Sequence, residues 1–592
     1  MCGIFGYVGS TGDAAGIVLR GLQKLEYRGY DSWGIGVAHE GRVVVDKRIG
    51  KIGAAMPELP AGAIGIGHTR WATHGGVTEA NAHPHLDCAG RLALIHNGIV
   101  SNYRELRDPL VQAGHRFRSQ TDTEVVAHLL EDCLDQTPAG PEQLLTATIA
   151  AFRRLQGLNA IAVLDVRTGQ IAAAKSGSPL VLGWSDDGNM LASDFSALLE
   201  HTRRVTFVED RQAVLVSRER NRLFDVDTSQ ELEPAITEVG WAAAATELSG
   251  YPDYMTKEIH EQPALLRRLA GGWGDHARRL AALLREASDV FVIGCGTAGH
   301  AALAAQYLLA RIAGRRVTFA TASEFSYLRD FVAEGSLVVA LSQSGETIDV
   351  IDAVRAARQR GARIAAMVNV EGSTLWRLAD VVVPLGAGPE RCVLSTKSFT
   401  AKQAILLLTA YELTGRLDAG VALVEGAAHE IERLLADDRR DLIRHIADAI
   451  YRRDHLFVIG RGPSYPLALE AALKVKEVSY VHAEGFAGGE LKHGVIALIE
   501  PGTPCLVLAP GDETYEDIMA GAMEVKARGA MLIGLSPEPH EAFDCHIPVA
   551  DLGPATAIVN AVPAQLLGYY LALLRGHDPD KPRNLAKSVT VK

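Results

Sequence analysis

Met1-Cys2-Gly3-Ile4-Phe5-Gly6 opens the chain, and the reading of Cys2 decides what the first third is built to do. A cysteine is small enough for a preceding methionine to be trimmed, which leaves a thiol and a free α-amine on one residue. That amine has a reference pKa of roughly 7.7–8, so a useful fraction is unprotonated near neutrality. It can serve as the base for its own thiol, combining attack and proton transfer in one residue. Taken alone, the same six residues are equally an ordinary small-residue terminus. The loops that follow decide between the two.

Residues 1–240 mix short apolar runs that predict strands (Ile64–Gly67, Leu92–Ile95, Ala160–Leu164, Ala213–Val216) with helical patterns at Tyr103–Ala113 and Glu124–Asp135. Polar loops lie between them. Tyr27-Arg28-Gly29-Tyr30-Asp31-Ser32 follows a helical pattern, and His68-Thr69-Arg70-Trp71-Ala72-Thr73-His74-Gly75 follows a strand. His96-Asn97-Gly98 ends another strand, and Thr121-Asp122-Thr123-Glu124 opens a helix. An arginine can grip an α-carboxylate with two parallel hydrogen bonds, and an aspartate can pair with an α-ammonium. An Asn amide with the next N–H can hold a developing oxyanion. Singly these are a surface arginine, a capping aspartate and an Asn-Gly turn. Together, behind Cys2, they suit one amino-acid substrate.

The 592 residues are 48% hydrophobic and 22% charged, and the formal net charge is −12. At one domain per ~100–200 residues, about three or four domains are expected. An acidic chain lacks the basic surface that non-specific nucleic-acid binding needs. The seven cysteines, Cys2, Cys88, Cys133, Cys295, Cys392, Cys505 and Cys545, are scattered and form no CxxC pair. Neither a disulfide framework nor a zinc site is expected from that spacing. No apolar run reaches the ~20 residues of a membrane helix, and no secretion signal is read at the N-terminus. A cytoplasmic protein with no membrane partner is the expectation.

CGIFGYVG, YRGYDS, HTRWATHG, NAHPH, HNG and TDTE together resemble the class II glutamine amidotransferases. The resemblance covers the first third. It implies an N-terminal-nucleophile glutaminase domain at 1–240 with a four-layer αββα sandwich. It further implies Cys2 as nucleophile with its own amine as base, and Asn97 and Gly98 as oxyanion hole. Arg70, Thr73, His74 and Asp122 would hold glutamine, and Trp71 would gate the route of ammonia. Trp33 stands where the family usually has a small residue, which predicts a packing change.

Residues 241–255 look like a linker. Beyond them, apolar strands alternate with longer helical patterns, which predicts βαβ units and parallel sheets. Val290-Phe291-Val292-Ile293-Gly294-Cys295-Gly296 matches Leu456-Phe457-Val458-Ile459-Gly460-Arg461-Gly462. Later in each half, Leu341 to Thr347 aligns with Leu508 to Thr514, so the region is a duplicated domain, with copies at 256–430 and 431–582. Only the first copy has Ser342, Gln343, Ser344 and Thr347 between a buried strand and a helix start, a natural phosphate cradle. The second has Ala509, Pro510 and Gly511, so one sugar-phosphate site per chain is expected. Gly294-Cys295-Gly296-Thr297-Ala298-Gly299 also satisfies the dinucleotide pattern, but the nearest acid, Glu324, sits late and off a clean strand end, and Pro463–Tyr465 break the pattern in the second copy.

GCGTAG, ASEF, SQSGET and STKSFT resemble the sugar isomerase (SIS) domain, here in tandem. Fused to the glutaminase, the whole resembles the family of isomerising glutamine–fructose-6-phosphate aminotransferases, the glucosamine-6-phosphate synthases. LEAALKVKEVSYVHAEGF, GELKHG and PRNLAKSVTV carry that resemblance to the C-terminus. It implies that Thr297, Ser342, Gln343, Ser344 and Thr347 bind the phosphate and that Val393 and Ser395 line the sugar site. Glu477 would move a proton between C1 and C2, with Lys474 beside it one helical turn away. His493, from a neighbouring subunit, would open the ring, and Lys587 in the tail 583–592 would form a Schiff base with the ketose. Ala298, Cys392, Leu394 and Val495 depart from the family pattern; Leu394 is read as lying beside the sugar.

The expected activity is amination and isomerisation of fructose 6-phosphate by glutamine, giving glucosamine 6-phosphate and glutamate as the first step of hexosamine synthesis. Glutamine and fructose 6-phosphate are the expected partners, in a homodimer, with no metal and no cofactor. The alternatives are an amidotransferase for another ketose phosphate, motivated by Leu394, and a sugar-phosphate-sensing regulatory protein.

Overall fold

The computed structural model describes residues 2–240 and 247–590. Two compact units divide the chain, Met1–Glu247 with Ala586–Lys592, and Leu248–Leu585. Of the expected linker, 241–246 lie outside the described residues, whereas Tyr254–His260 is already helical, capped by Asp253, which accepts from the Thr256 N–H at 2.7 Å.

In the first unit, Gly3–Gly9 lies inside an eight-stranded antiparallel sheet. Its order is Thr237–Glu238, Arg204–Phe207, Val181–Gly183, Gly188–Ala192, Gly3–Gly9, Ile64–Arg70, Ser32–His39, Arg42–Ile49. A seven-stranded antiparallel sheet runs Glu231–Leu232, Asn221–Asp225, Gln212–Val216, Gln170–Ser176, Asn159–Asp165, Leu92–Gly98, His85–Leu86. Side chains on a strand alternate between faces, and Leu92–Gly98 shows the consequence. Ala93 and Ile95 pack with Ile4, Val8 and Ile66 in the core between the sheets. Leu92 and Leu94 pack with Leu106, Val126 and Leu130 of the covering helices Tyr103–Gln112 and Thr123–Gln136. The helix Ala14–Leu25 covers the other sheet so closely that a Cβ on Gly67 would lie 2.5 Å from Val18 and 2.8 Å from Leu22. The layers are therefore helix, sheet, sheet, helix, the expected αββα sandwich. Trp33 is 1% exposed within it, a packing residue as expected.

The second unit repeats one parallel sheet. The first copy runs Thr318–Thr321, Val290–Gly294, Leu337–Ser342, Arg363–Val368, Val381–Pro384. The second runs His482–Ala487, His455–Gly460, Pro504–Leu508, Met531–Ser536, Cys545–Pro548, the same order of elements. Each first strand pairs with strands on both sides, so each sheet has a switch point at its strand C-termini, where ligands of such sheets bind. The copies also share one core. Helices Lys397–Leu413, Ser464–Ser479 and Thr556–Leu574 contribute to a single apolar cluster that draws on both sheets. Gly553–Leu574 is long and apolar enough to cross a membrane by length and composition, and 78% of that window is buried inside the fold. No such run was expected from the sequence; Asn560 and Gln565 lie within it, and Gln565 accepts a 2.7 Å hydrogen bond from Gln262 within the core.

Candidate active sites

Cys2 immediately precedes the strand Gly3–Gly9, whose neighbour Ile64–Arg70 delivers the loop that meets the thiol. The Trp71 N–H donates to Cys2 Sγ at 3.2 Å. Burial pushes the Cys2 thiol up, while that N–H and the Arg70 guanidinium pull it down. An attacking thiolate therefore needs a base at hand.

Asn97 and Gly98 end the strand Leu92–Gly98 of the facing sheet. Asn97 Nδ2 donates to the Cys2 carbonyl at 3.0 Å, which sets its amide beside the nucleophile. Gly98 has φ +131°, and a Cβ there would lie 2.1 Å from the Leu158 carbonyl oxygen, so only glycine fits. Behind Asn97 stands a group of histidines to which the sequence reading gave no role. His68 Nε2 lies 3.1 Å from Asn97 Oδ1 and 2.9 Å from the His96 carbonyl oxygen. Both are acceptors, so Nε2 carries the proton and Nδ1 is bare. His83 Nδ1–H then donates to His68 Nδ1 at 2.9 Å. Burial lowers His68 to about 3 and takes His83 and His85 well below the ordinary histidine range; His96 falls too. The rings are neutral and hold the Asn97 amide in one orientation. No spacing rule signals them, because His68, His83 and His96 come from separate segments.

Cys2, Arg70, Trp71, Thr73, His74, Gly98 and Asp122 line one narrow pocket. Asp31 Oδ2 accepts from the Ala72 N–H at 2.8 Å, and Arg70 donates to the Gly76 and Gly75 carbonyls at 3.1 and 3.2 Å and to that of His74. The guanidinium thus frames the loop that carries Thr73 and His74. Asp122 Oδ2 accepts from the Val100 N–H at 2.8 Å, which fixes its carboxylate at the head of the helix Thr123–Gln136. Trp71 packs edge-on against Tyr30, ring centroids 5.8 Å apart.

In the second unit, the strand Leu337–Ser342 leads through Gln343 and Ser344 into the helix Ile348–Gln359. Ser342 Oγ accepts from the Gly345 N–H at 2.9 Å and Ser344 Oγ from the Glu346 N–H at 3.1 Å. Gly345 has φ +69°, and Thr347 at the helix start makes no side-chain cap bond. The loop is compact, and the positive end of the helix dipole lies at its mouth. The second copy closes the equivalent place. Asp512 Oδ1 accepts from the Thr514 N–H at 2.9 Å and its hydroxyl at 2.6 Å, and Glu516 and Asp517 fill the first turn of Tyr515–Lys526. That mouth repels an anion.

The second copy contributes something else. Its helix Ser464–Ser479 presents Glu470, Lys474 and Glu477 on one face. Lys474, 1% exposed, lies 2.7 Å from Glu477 Oε2 and 3.4 Å from Glu470 Oε1, and donates to Thr297 Oγ1 of the first copy at 3.0 Å. Thr297 in turn donates to Glu470 at 3.0 Å, and Glu470 Oε2 is 2.8 Å from His300 Nδ1. Burial opposes the charge on Lys474, but Glu470 and Glu477 hold its ammonium above the ordinary lysine range. It is a fixed cation, not an amine nucleophile. The Thr297 hydroxyl, expected at the phosphate, is engaged by this cluster.

A family model described as a glutamine amidotransferase domain matches residues 53–223, and one for the SIS domain matches 283–411 and 449–575. The glutamine–fructose-6-phosphate aminotransferase (isomerizing) of Pyrococcus horikoshii is 41% identical over 606 residues, covering 100% of both chains. That of Thermus thermophilus is 44% identical over 614 residues, again covering 100% of each. The chain belongs to the isomerizing glutamine–fructose-6-phosphate aminotransferases. The solved C-terminal domain of the Francisella tularensis glucosamine-fructose-6-phosphate aminotransferase is 30% identical, with a TM-score of 0.53, covering 57% of this chain and 100% of that domain.

Against that family pattern, Leu394 is 1% exposed and packs in the shared core. Val393, its neighbour, belongs to the same core at 7% exposure. Val393 N–H donates to the Asp580 carbonyl at 3.0 Å, and Glu390 Oε1 accepts from the Thr396 N–H at 3.0 Å, so the loop carrying Val393 and half-buried Ser395 is anchored at both ends. His493 is exposed at the end of the 3-10 turn Gly488–His493. Lys587 is half-buried in the C-terminal segment.

Proposed function

We propose that the chain converts glutamine and fructose 6-phosphate into glutamate and glucosamine 6-phosphate, with the domains divided as 1–240, 256–430, 431–582 and a catalytic tail 583–592. The observation that carries the reading is the Glu470–Lys474–Glu477 face of the second copy bonded to Thr297 of the first. A buried cation flanked by carboxylates beside a phosphate cradle is equipment for moving a proton on a bound sugar phosphate.

Cys2 attacks the glutamine amide, its proton passing to the α-amine exposed by loss of Met1. Asn97 and the Gly98 N–H stabilise the oxyanion; collapse releases ammonia, and water cleaves the thioester to glutamate. Arg70 and Asp122 hold the two charged ends of glutamine, with Thr73 and His74 along the loop and Trp71 as gate. At the sugar, Ser342, Gln343, Ser344 and Thr347 hold the phosphate. His493 of a neighbouring copy opens the ring, which makes a homodimer the working unit. Lys587 forms the Schiff base at C2, ammonia displaces it, and Glu477 carries a proton from C1 to C2. Lys474, already charged, positions Glu477 and leaves the imine to Lys587. The seven free cysteines suit a reducing cytoplasm.

The test supplies fructose 6-phosphate with amide-labelled glutamine and identifies the amino sugar. Label in glucosamine 6-phosphate, lost in Cys2→Ala while ammonia-driven synthesis survives, is the expected result. An unlabelled or different amino sugar refutes it.

A further inference from the structure

Away from the glutamine pocket, the first unit gathers Cys88, His115, His128 and Glu131 from three segments. Cys88 follows the edge strand His85–Leu86, His115 sits in the loop after Tyr103–Gln112, and His128 and Glu131 share one face of Thr123–Gln136. Cys88 Sγ lies 3.6 Å from His115 Nδ1 and 3.6 Å from His128 Nδ1. Glu131 Oε2 lies 3.1 Å from His115 Nδ1 and 3.3 Å from His128 Nδ1. All four ligand atoms fall within 4.8 Å of one another.

We propose that these four side chains bind one zinc ion as a structural site. A tetrahedral zinc with Zn–S of about 2.3 Å and Zn–N and Zn–O near 2.0–2.1 Å sets S and N roughly 3.5 Å apart and N and O roughly 3.3 Å apart. The two sulfur–nitrogen and two nitrogen–oxygen separations already have those lengths. The His115 tautomer agrees. Asp132 Oδ1 accepts a 2.8 Å hydrogen bond from His115 Nε2–H, so in the neutral ring Nδ1 turns a bare lone pair toward the other three groups. Glu131 supplies an acceptor to the same point. The bare His115 Nδ1 and the Glu131 Oε2 acceptor, 3.1 Å apart, repel unless a positive centre sits between them. The His128 side chain is 1% exposed, that of His115 10% and that of Glu131 15%, and the Cys88 N–H braces Glu131 Oε2 at 3.1 Å. One sulfur, two imidazoles and one carboxylate form a mixed set suited to zinc, and four protein ligands leave no open position for catalysis.

The expectation of no metal came from spacing. Here the ligands are far apart in sequence, and only His128 and Glu131 have a helical interval. The site is structural in consequence as well. It ties the segment running from His83 and His85 to the helix whose first residue, Thr123, bonds His96 at 2.9 Å. Zinc would thus clamp the back wall of the glutamine pocket without touching glutamine.

The untagged full-length chain, reconstituted with zinc and desalted, is expected to retain about one zinc per chain by mass spectrometry. Cobalt(II) in its place should give tetrahedral visible bands and a thiolate charge-transfer band that Cys88→Ala abolishes. Asp132→Asn, which leaves all four ligands, should weaken zinc binding about 10–100-fold. Cys88 is exposed, so its variant tests binding and not folding. A wild-type chain that emerges metal-free, or a Cys88→Ala variant that binds zinc as tightly as wild type, overturns the site and leaves a cluster held by protons alone.

Discussion

Replacing Lys474 with methionine removes a cation that is 1% exposed and keeps its apolar stem. Glu470, itself 1% exposed, then keeps only His300 and Thr297 as partners, at 2.8 and 3.0 Å. Breaking a buried ion pair by removing one partner costs about 3–5 kcal/mol, because the other charge is stranded. Burial raises Glu470, and Lys474 with His300 and Thr297 now holds it below the ordinary carboxylate range. Without Lys474 the burial is less opposed, so the variant should take up a proton there as pH falls. The sign follows. In the variant the folded carboxyl binds its proton more tightly than the unfolded one, so the destabilisation is full at alkaline pH and shrinks as pH falls through the raised value. At roughly 2 °C per kcal/mol, the transition of the second unit should drop by about 6–10 °C at pH 8, and by less at pH 5. Adding Glu470→Gln should recover much of that loss, since both charges are then gone. Synthesis from ammonia and fructose 6-phosphate should be abolished in single and double variants. Calorimetry of the full chain at both pH values decides it. A Lys474→Met protein as stable as wild type at pH 8, or a double variant no better than the single, would refute the buried-cation argument.

Asn97→Ala should lower glutamine hydrolysis about 100–1,000-fold, the usual loss for one oxyanion donor; His68→Ala should lower kcat in the same direction with little change in KM, because it acts only through the orientation of Asn97. Because His68, His83, His85 and His96 are all held neutral by burial, the unfolded chain binds more protons below pH 6.5. Stability of the first unit should therefore fall on acidification at up to about 1.4 kcal/mol per pH unit for each ring, read by denaturant titration from pH 7 to 5. A flat profile would mean that the rings are solvated. Gly345→Ala would put a Cβ 2.0 Å from Ser373 Oγ at φ +69°, so KM for fructose 6-phosphate should rise sharply while glutamine hydrolysis measured without sugar persists.

Local chemistry was the legible part. The apolar run Leu92–Ile95 predicted a strand, and it lies within the strand Leu92–Gly98, buried on both faces. The contrast of Ser342–Thr347 with Ala509–Gly511 predicted one open helix mouth, and Asp512 shows how the other is closed. What stayed hidden depends on distant segments meeting. Glu470 and His300 are an unremarkable acid and base until two helices cross, and His68 is one histidine among twenty until it touches Asn97. The inward turn of Leu394 stayed hidden for the same reason. Its neighbours in the chain belong to an anchored loop, but its side chain turns into the core, a direction that adjacency does not encode.

The duplication has divided labour as well as sequence. One copy kept an anion-accepting mouth, and its twin, having sealed its own with Asp512, lends a charged helix to the first across their common interior. Neither half could be moved to another protein and keep its chemistry. A chain severed between Leu434 and Asp437 would yield two fragments that each bury part of a core they cannot complete, and any activity they regained would measure how well they find each other.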